Sequence, residues 1–312
     1  MAEIILHHYP QSPFSEKVRA VFGFKNLAWR SVVIPRILPK PDLVALTGGY
    51  RRTPVMQIGA DIYCDTQCIL REIERRFPTP TLYPQGSEGL ADALAFWADR
   101  PLFWAAVGVA FAERARRNEV PEAFLADRSK FTGREMSAEE LIAAQPAQKG
   151  QVRSQLTWVE SMLSDGRPYL LGEAPSLADF ALYNPVWFLR QHLGAHPEIL
   201  ARFSHLGEWA DRVRSFGNGS PEELSGQDAL AVARASNLNS AEDIDQYDPV
   251  GFKGGAAITV CPDDTGRDPV SGSLVSSNAH EVVLRRSDPT AGEVLVHFPR
   301  AGFVVSPAGS FS

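Results

Sequence analysis

Apolar and polar residues follow three different rhythms along this chain. From Glu3 to Phe77 short strand-like runs alternate with helical faces. EIILHHY reads as a strand, and PFSEKVRAVFGF places Phe14, Val18, Val21 and Phe22 on one side of a helix. AWRSVVI is a second strand, Asp42 to Leu46 a short helical segment, and VMQIGADIYC two strands joined by a Gly-containing turn. DTQCILREIERRF closes the unit as a helix with Ile69, Ile73 and Phe77 aligned, giving the order βαβαββα. From Glu88 to Phe216 the rhythm is helical. Helices are expected over Leu90 to Arg117 with a kink at Pro101, Lys149 to Leu163, Leu177 to His192 and Glu198 to Val213. Asn218 to Ser225 looks like a linker before a short helix from Gln227 to Ala235. Beyond Asp248 the pattern turns to β-branched runs at Ala257–Val260, Ser273–Ser276, Glu281–Arg285, Glu293–Phe298 and Gly302–Val305. Gly and Pro rise with it, to 14 of the last 65 residues against 33 of the preceding 247, which predicts a small antiparallel sheet packed on itself or on the helices. The divisions expected are an α/β unit over 1–84, an all-helical unit over 88–217 and an antiparallel β extension over 248–308.

Composition narrows the function classes. The 312 residues carry 31 Lys+Arg and 37 Asp+Glu, a formal charge of −6, with a 44% hydrophobic fraction. That is a globular, acidic chain with no electrostatic reason to bind nucleic acid or an anionic membrane surface. The run Leu102 to Ala112 is too short to span a bilayer and is flanked by charges, so a buried helix is expected. MAEIILHHYP lacks the basic start and long apolar core of a signal peptide, and three unevenly placed cysteines do not make a disulfide framework; both predict a cytoplasmic protein. No metal is expected. His7 and His8, adjacent in a strand, point to opposite faces, and Cys64 and Cys68 have no second pair to complete a zinc set.

Three segments could carry chemistry. Ser12-Pro13-Phe14-Ser15 follows the first strand and opens a helix. Ser as N-cap and Pro at the first helical position make an ordinary helix start. The same end also offers free amides, a positive dipole and one hydroxyl to an anion, and a thiolate would suit it. Thr53-Pro54-Val55 begins the third strand, and Asp65-Thr66 opens the helix after the hairpin. Phe103, Trp104 and Phe111 on the first long helix and Trp187 on a later one either fill the core or wall an apolar subsite.

Together these segments resemble the cytosolic glutathione transferase family over roughly residues 3 to 216. Ser12-Pro13-Phe14 resembles the Ser-Pro-Phe signature of its serine-type members, where related glutaredoxins carry Cys-Pro-Tyr-Cys. Arg52-Thr53-Pro54-Val55 resembles the family's basic residue before a cis-proline turn, and Asp65-Thr66 stands where Glu-Ser or Gln-Thr is usual. RRFPTPTLYP is also familiar, and Ser176-Leu177-Ala178-Asp179 matches its Ser-x-x-Asp capping box.

The resemblance implies a thioredoxin-like α/β domain, an all-helical domain and a homodimer, with glutathione as co-substrate and a small apolar electrophile as second substrate. It implies that Ser12 donates a hydrogen bond to the glutathione sulfur. Tyr9, where tyrosine-type members place their hydroxyl, is the alternative, and Ser15 a third. Phe14 would flank the thiol and Thr53, Pro54 and Val55 hold the ligand backbone. Asp65 and Thr66 would receive its γ-glutamyl end, and Arg52 would attract its glycyl carboxylate. With Ser at both ends of the motif, dithiol exchange is chemically excluded. Conjugation is the expected reaction; glutathione-dependent isomerisation uses the same thiolate. A non-catalytic scaffold working through the tail, which departs from the family pattern, is the reading from another class.

Overall fold

A computed structural model describes residues 3–195, 197–238 and 243–310. The N-terminal unit has the expected order: β1 (Ile5–His8), α1 (Pro13–Phe24), β2 (Ala28–Val33), α2 (Pro41–Thr47), β3 (Val55–Ile58), β4 (Asp61–Cys64) and α3 (Asp65–Arg76). β1 runs parallel to β2 and antiparallel to β3, and β3 turns into β4 through Gly59, whose φ of 64° suits a residue without a Cβ. Successive β1 residues feed opposite cores. Leu6 joins Val18, Phe22, Met56 and Ile69 on the side of α1 and α3, while Ile5 faces Leu46 and Ile62 on the other. Val18, Val21 and Phe22 are fully buried, and burial of each such side chain contributes roughly 1.5–3 kcal/mol.

The helical unit comprises α4 (Glu88–Trp97), α5 (Phe103–Arg116), α6 (Glu122–Thr132), α7 (Ala138–Leu163), α8 (Leu177–Leu193) and α9 (Ser204–Arg214). Pro101 kinks the first long helix as expected, by way of a wide π-type turn over Ala98–Leu102. The span Glu88–Arg116 has the length and composition to cross a bilayer, longer than the apolar run alone suggests. Half of its most apolar window is buried in the protein, and Asp99 in its middle pairs with Lys17 at 2.6 Å. α7 begins eleven residues before Lys149, at a Ser137/Glu140 capping box. The helix expected from Glu198 is a 3-10 turn over Glu198–Leu200 followed by α9. The Ser176/Asp179 capping box is present, and the fully buried Asp179 carboxylate also accepts from Leu170 N at 2.9 Å and Trp209 Nε1 at 2.8 Å.

The rest of the chain returns to the first unit. The expected linker contains β5 (Ser220–Glu223), which pairs in parallel with β2 and leads into α10 (Gly226–Ala235). Beyond β6 (Asp243–Ile244), the strands β7 (Ala257–Pro262), β8 (Val270–Ser277), β9 (Glu281–Asp288), β10 (Gly292–Pro299) and β11 (Phe303–Pro307) form the predicted antiparallel array. The array packs on itself, but its main outer partner is not the helical unit. β10 pairs in parallel with β4, through Leu295↔Asp61, Val296↔Ile62 and His297↔Tyr63, so one sheet runs β11-β7-β8-β9-β10-β4-β3-β1-β2-β5. The reason is a shared core: Ile5, Leu46 and Ile62 pack with Leu230 of α10 and with Val260, Leu284 and Val296 of the array.

At the β10/β4 seam the His297 ring stacks on Tyr63 with centroids 4.3 Å apart. Its Nε2 lies 3.0 Å from Asp61 Oδ1 and its Nδ1 3.4 Å from Glu281 Oε2. Burial works against the charged ring, but the two carboxylates outweigh it and push the pKa up to about 9.

Candidate functional site

The start of α1 builds one side of a cleft of about 150 Å³ between the N-terminal and helical units. Ser12 has extended backbone angles, and its Oγ accepts from Ser15 N at 3.2 Å while Pro13 occupies the first turn. The ordinary N-cap reading therefore holds. The hydroxyl's own proton is bonded to none of the described residues, and Ser12, Pro13 and Phe14 all line the cleft. Ser15 does not: it is fully buried, and its Oγ has no partner among the described residues. Tyr9 does line the cleft, half-buried, its ring 5.9 Å from Lys40 Nζ and 6.0 Å from the Arg36 guanidinium.

The turn into β3 faces Ser12 across the same space. The Thr53–Pro54 peptide is cis; Thr53 lines the cleft, with Pro54 and Val55 buried behind it. Lys40 Nζ donates to Thr53 Oγ1 at 3.1 Å and to Arg51 O at 3.2 Å. Burial, then the charges of Arg128 and Arg51, lower the Lys40 pKa to about 8. Arg52 reaches the cleft with its guanidinium already engaged, by Asp264 and the Thr265 carbonyl of the appended array.

Asp65 and Thr66 sit one step away. Asp65 holds a φ of 71°, a left-handed conformation that Asp tolerates better than most residues, and its Oδ1 accepts from Gln67 N at 3.0 Å. Residues held there cost of order 1–3 kcal/mol and cluster at functional sites. Thr66 opens not into the cleft but into an adjoining depression of about 410 Å³ with Lys17, Gln67 and Asp99. Asp99 borders both spaces, so the Lys17–Asp99 pair forms the partition between them.

The helical unit supplies an aromatic wall. Phe14 meets Phe103 at 4.5 Å, Phe103 meets Trp104 at 5.4 Å and Phe188 at 6.3 Å, and Phe111 stacks on Phe124 at 5.3 Å. Trp187 is not part of it. It lines a separate groove with His8, Arg19 and Trp29, because neighbours on a helix stand about 100° apart and only Phe188 faces the cleft. Arg36 and Arg128 lie over the Phe124 ring at 5.4 and 4.9 Å, and Arg51 and Arg128 over Phe131 at 5.4 and 4.9 Å. Arg51 and Arg128 are compensated by Asp127, at 2.6 and 3.0 Å, and Arg52 by Asp264. Arg36 and Lys40 have no acidic partner among the described residues, so this cleft is electropositive in an acidic protein. His192, on the same wall, is held neutral: burial first, then Arg114, Arg36 and Arg117, lower its pKa to about 4.

Sequence reading thus missed Arg36, Lys40, Phe124, Arg128, Phe131, Phe188, His192 and Asp264. Phe188 is one helical step from Trp187. Phe124, Arg128 and Phe131 belong to α6, which buries no residue fully and so shows no apolar face to read. Among the described residues no group of three or more His, Cys, Asp or Glu could hold a metal ion. A larger hollow of about 560 Å³, edged by Glu113, Arg117, Lys149 and Arg153, shares no residue with the cleft.

Residues 6–81 match the family model of the glutathione S-transferase N-terminal domain, and residues 138–212 that of the C-terminal domain. Among solved structures, a GST-like protein from Pseudomonas syringae is 42% identical, covering 98% of this chain and 100% of its own, with a TM-score of 0.79. Its coverage reaches into the β extension. A glutathione S-transferase of Ceriporiopsis subvermispora, solved in complex with glutathione, is 18% identical over 69% of this chain and 96% of its own, at a TM-score of 0.54. FzlA from C. crescentus is 22% identical over 80% of this chain and 100% of its own, at 0.53; these two share the fold. No curated protein matches the chain.

Proposed function

Since the chain belongs to the glutathione S-transferase family, we propose that its cleft binds glutathione, that Ser12 activates the thiol, and that the thiolate attacks an aromatic electrophile. The observation that carries this is the convergence of an uncommitted Ser12 hydroxyl, the Thr53–Pro54 turn and an aromatic wall on one space. The ligand's backbone would pair with the strand-like edge at Thr53 and Val55, its γ-glutamyl end lie towards Asp65 and Thr66, and its sulfur face Ser12 and Phe14. The charged Lys40, which has no acidic partner among the described residues, suits the terminal carboxylate, with Arg52 beside it.

Ser12 acts by donating its free proton to the developing thiolate at the positive end of α1. Each tenfold gain in thiolate corresponds to about 1.4 kcal/mol of preferential stabilisation of that form. The sulfur then forms a bond to an electrophilic carbon, and the leaving group departs with the electron pair. Arginines stacked over Phe124 and Phe131 favour an aromatic ring carrying negative charge over a plain hydrocarbon. A dimer, which belongs to this reading by family, would form through surfaces other than the β4 edge, because β10 covers that edge.

The test combines titration with reduced glutathione and turnover of chlorodinitrobenzene. Ser12→Ala should lower kcat about 100-fold while glutathione affinity changes less than about threefold, since the hydroxyl acts on the sulfur and the other contacts remain. An equal effect from Tyr9→Phe, with none from Ser12→Ala, would move the role to Tyr9. Saturable binding without turnover of any electrophile would make the protein a glutathione-binding module instead of a transferase.

A further inference from the structure

The appended array does more than extend the sheet. Its β7–β8 connection crosses the mouth of the cleft and is fastened on both sides. Towards the N-terminal unit, Asp264 pairs with Arg52, and the Thr265 carbonyl accepts from Arg52 Nε at 3.2 Å. Asp268 stands 4.0 Å from Arg51 Nε. Towards the helical unit, Asp263 pairs with Arg100 Nη2 at 2.7 Å, and Gly266 N donates to Phe131 O at 2.7 Å. Gly266 has a φ of 56°, and a Cβ there would lie 2.5 Å from the Phe131 ring, so this close approach needs glycine. Asp264 and Thr265 consequently line the cleft, although Asp264 lies 212 residues beyond Arg52 in the sequence.

We propose that Asp264 is a specificity-determining residue, whose carboxylate holds the position on Arg52 that the terminal carboxylate of a thiol peptide would take. The inference rests on the reading that this cleft binds glutathione. A guanidinium has five N–H donors, and on Arg52 the Nε/Nη2 side is taken, Nη2 by Asp264 and Nε and Nη2 by the Thr265 carbonyl. An incoming carboxylate must displace Asp264 from Nη2 or be left with Nη1 beside the Asp264 charge. The loop therefore competes with the charged end of the ligand and leaves a neutral end unaffected. The extension thus sets how strongly the site distinguishes an acid from its amide.

The experiment is calorimetric titration of the full chain, wild type and Asp264→Asn, with reduced glutathione and with its C-terminal glycine amide. The expected result is that Asp264→Asn tightens binding of the acid about tenfold and changes that of the amide less than about twofold, and that adding Arg52→Ala removes the gain. Thermal unfolding checks that each protein is folded. If Asp264→Asn does not fold, Gly266→Ala, which disturbs the loop's seat on Phe131 without altering charge, should shift the acid-to-amide preference in the same direction. Acid and amide responding alike, or the acid binding more weakly, overturns the assignment while leaving glutathione binding in place. Absence of binding by either ligand to every folded protein overturns the glutathione reading and this inference with it.

Discussion

Protonated His297 should act as a pH-dependent clasp between the appended array and the N-terminal unit. An imidazole free in the unfolded chain titrates near 6.5, whereas His297 between Asp61 and Glu281 keeps its proton to about pH 9. The folded value is raised, so the contribution is complete below the unfolded pKa, declines as pH climbs, and is gone above the folded pKa. At about 1.4 kcal/mol per pH unit, a difference of that size is worth about 3 kcal/mol. The assay is urea unfolding of wild type and His297→Gln from about pH 6 to about pH 10, taking the stability difference at each pH. Lys40, lowered to about 8, also titrates in this range, but it does so in both proteins and cancels in the difference. Wild type should hold an advantage near pH 6 that shrinks by about 3 kcal/mol by pH 10. Hydrogen exchange of Leu295 to His297 and Asp61 to Tyr63 should accelerate over the same interval, because those residues form the seam. A difference that stays constant or grows with pH would refute the charged-clasp reasoning.

Two further outcomes follow from buried polar groups. Affinity for S-methylglutathione, which has no thiol to titrate, should fall roughly tenfold as pH rises through about 8, where Lys40 loses its proton, and the fall should vanish in Lys40→Met; a fall that persists in the variant would detach the carboxylate from Lys40. Asp179→Ala should destabilise the chain by roughly 3 kcal/mol or more, because it strands the buried Leu170 and Trp209 N–H groups and removes the N3 arm of the α8 capping box, and a loss below about 1 kcal/mol on urea unfolding would contradict that accounting.

What was legible in the sequence was local. Period and turn chemistry placed β1 to α3 in order, and Pro101 marked the kink. The Ser12 cap and Thr53–Pro54 came from neighbouring residues, as did Phe103, Trp104 and Phe111, which one helix places on one wall. Features that depend on tertiary partners are not legible there. Trp187 and Phe188 are equally apolar, and only the packing of α8 decides which ring meets the cleft. Arg52 reaches the cleft, but its partner lies 212 residues away, and no periodicity in Asp263-Asp264-Thr265 points towards it. Nor could alternation in the tail choose a surface: Val294, Val296 and Phe298 ask for a core and do not say which one.

That last ambiguity is resolved by edges. An unpaired β4 would expose N–H and C=O groups beside a buried apolar row, which favours further strand addition. β10 fills that edge from within the chain. Four more strands then carry the free edge away to β11, while at the other end β5 shows four exposed residues, Ser220, Pro221, Glu222 and Glu223, a composition that discourages further pairing. Once β10 is registered on β4, the antiparallel order β10-β9-β8-β7 fixes where the β7–β8 connection emerges, and it emerges beside Arg52. Covering the edge and placing a carboxylate in the cleft are consequences of the same register. A shift of β10 by one residue would turn Val294 and Val296 out of their core and carry Asp264 away from Arg52, so the seam at His297 governs stability and the ligand site together.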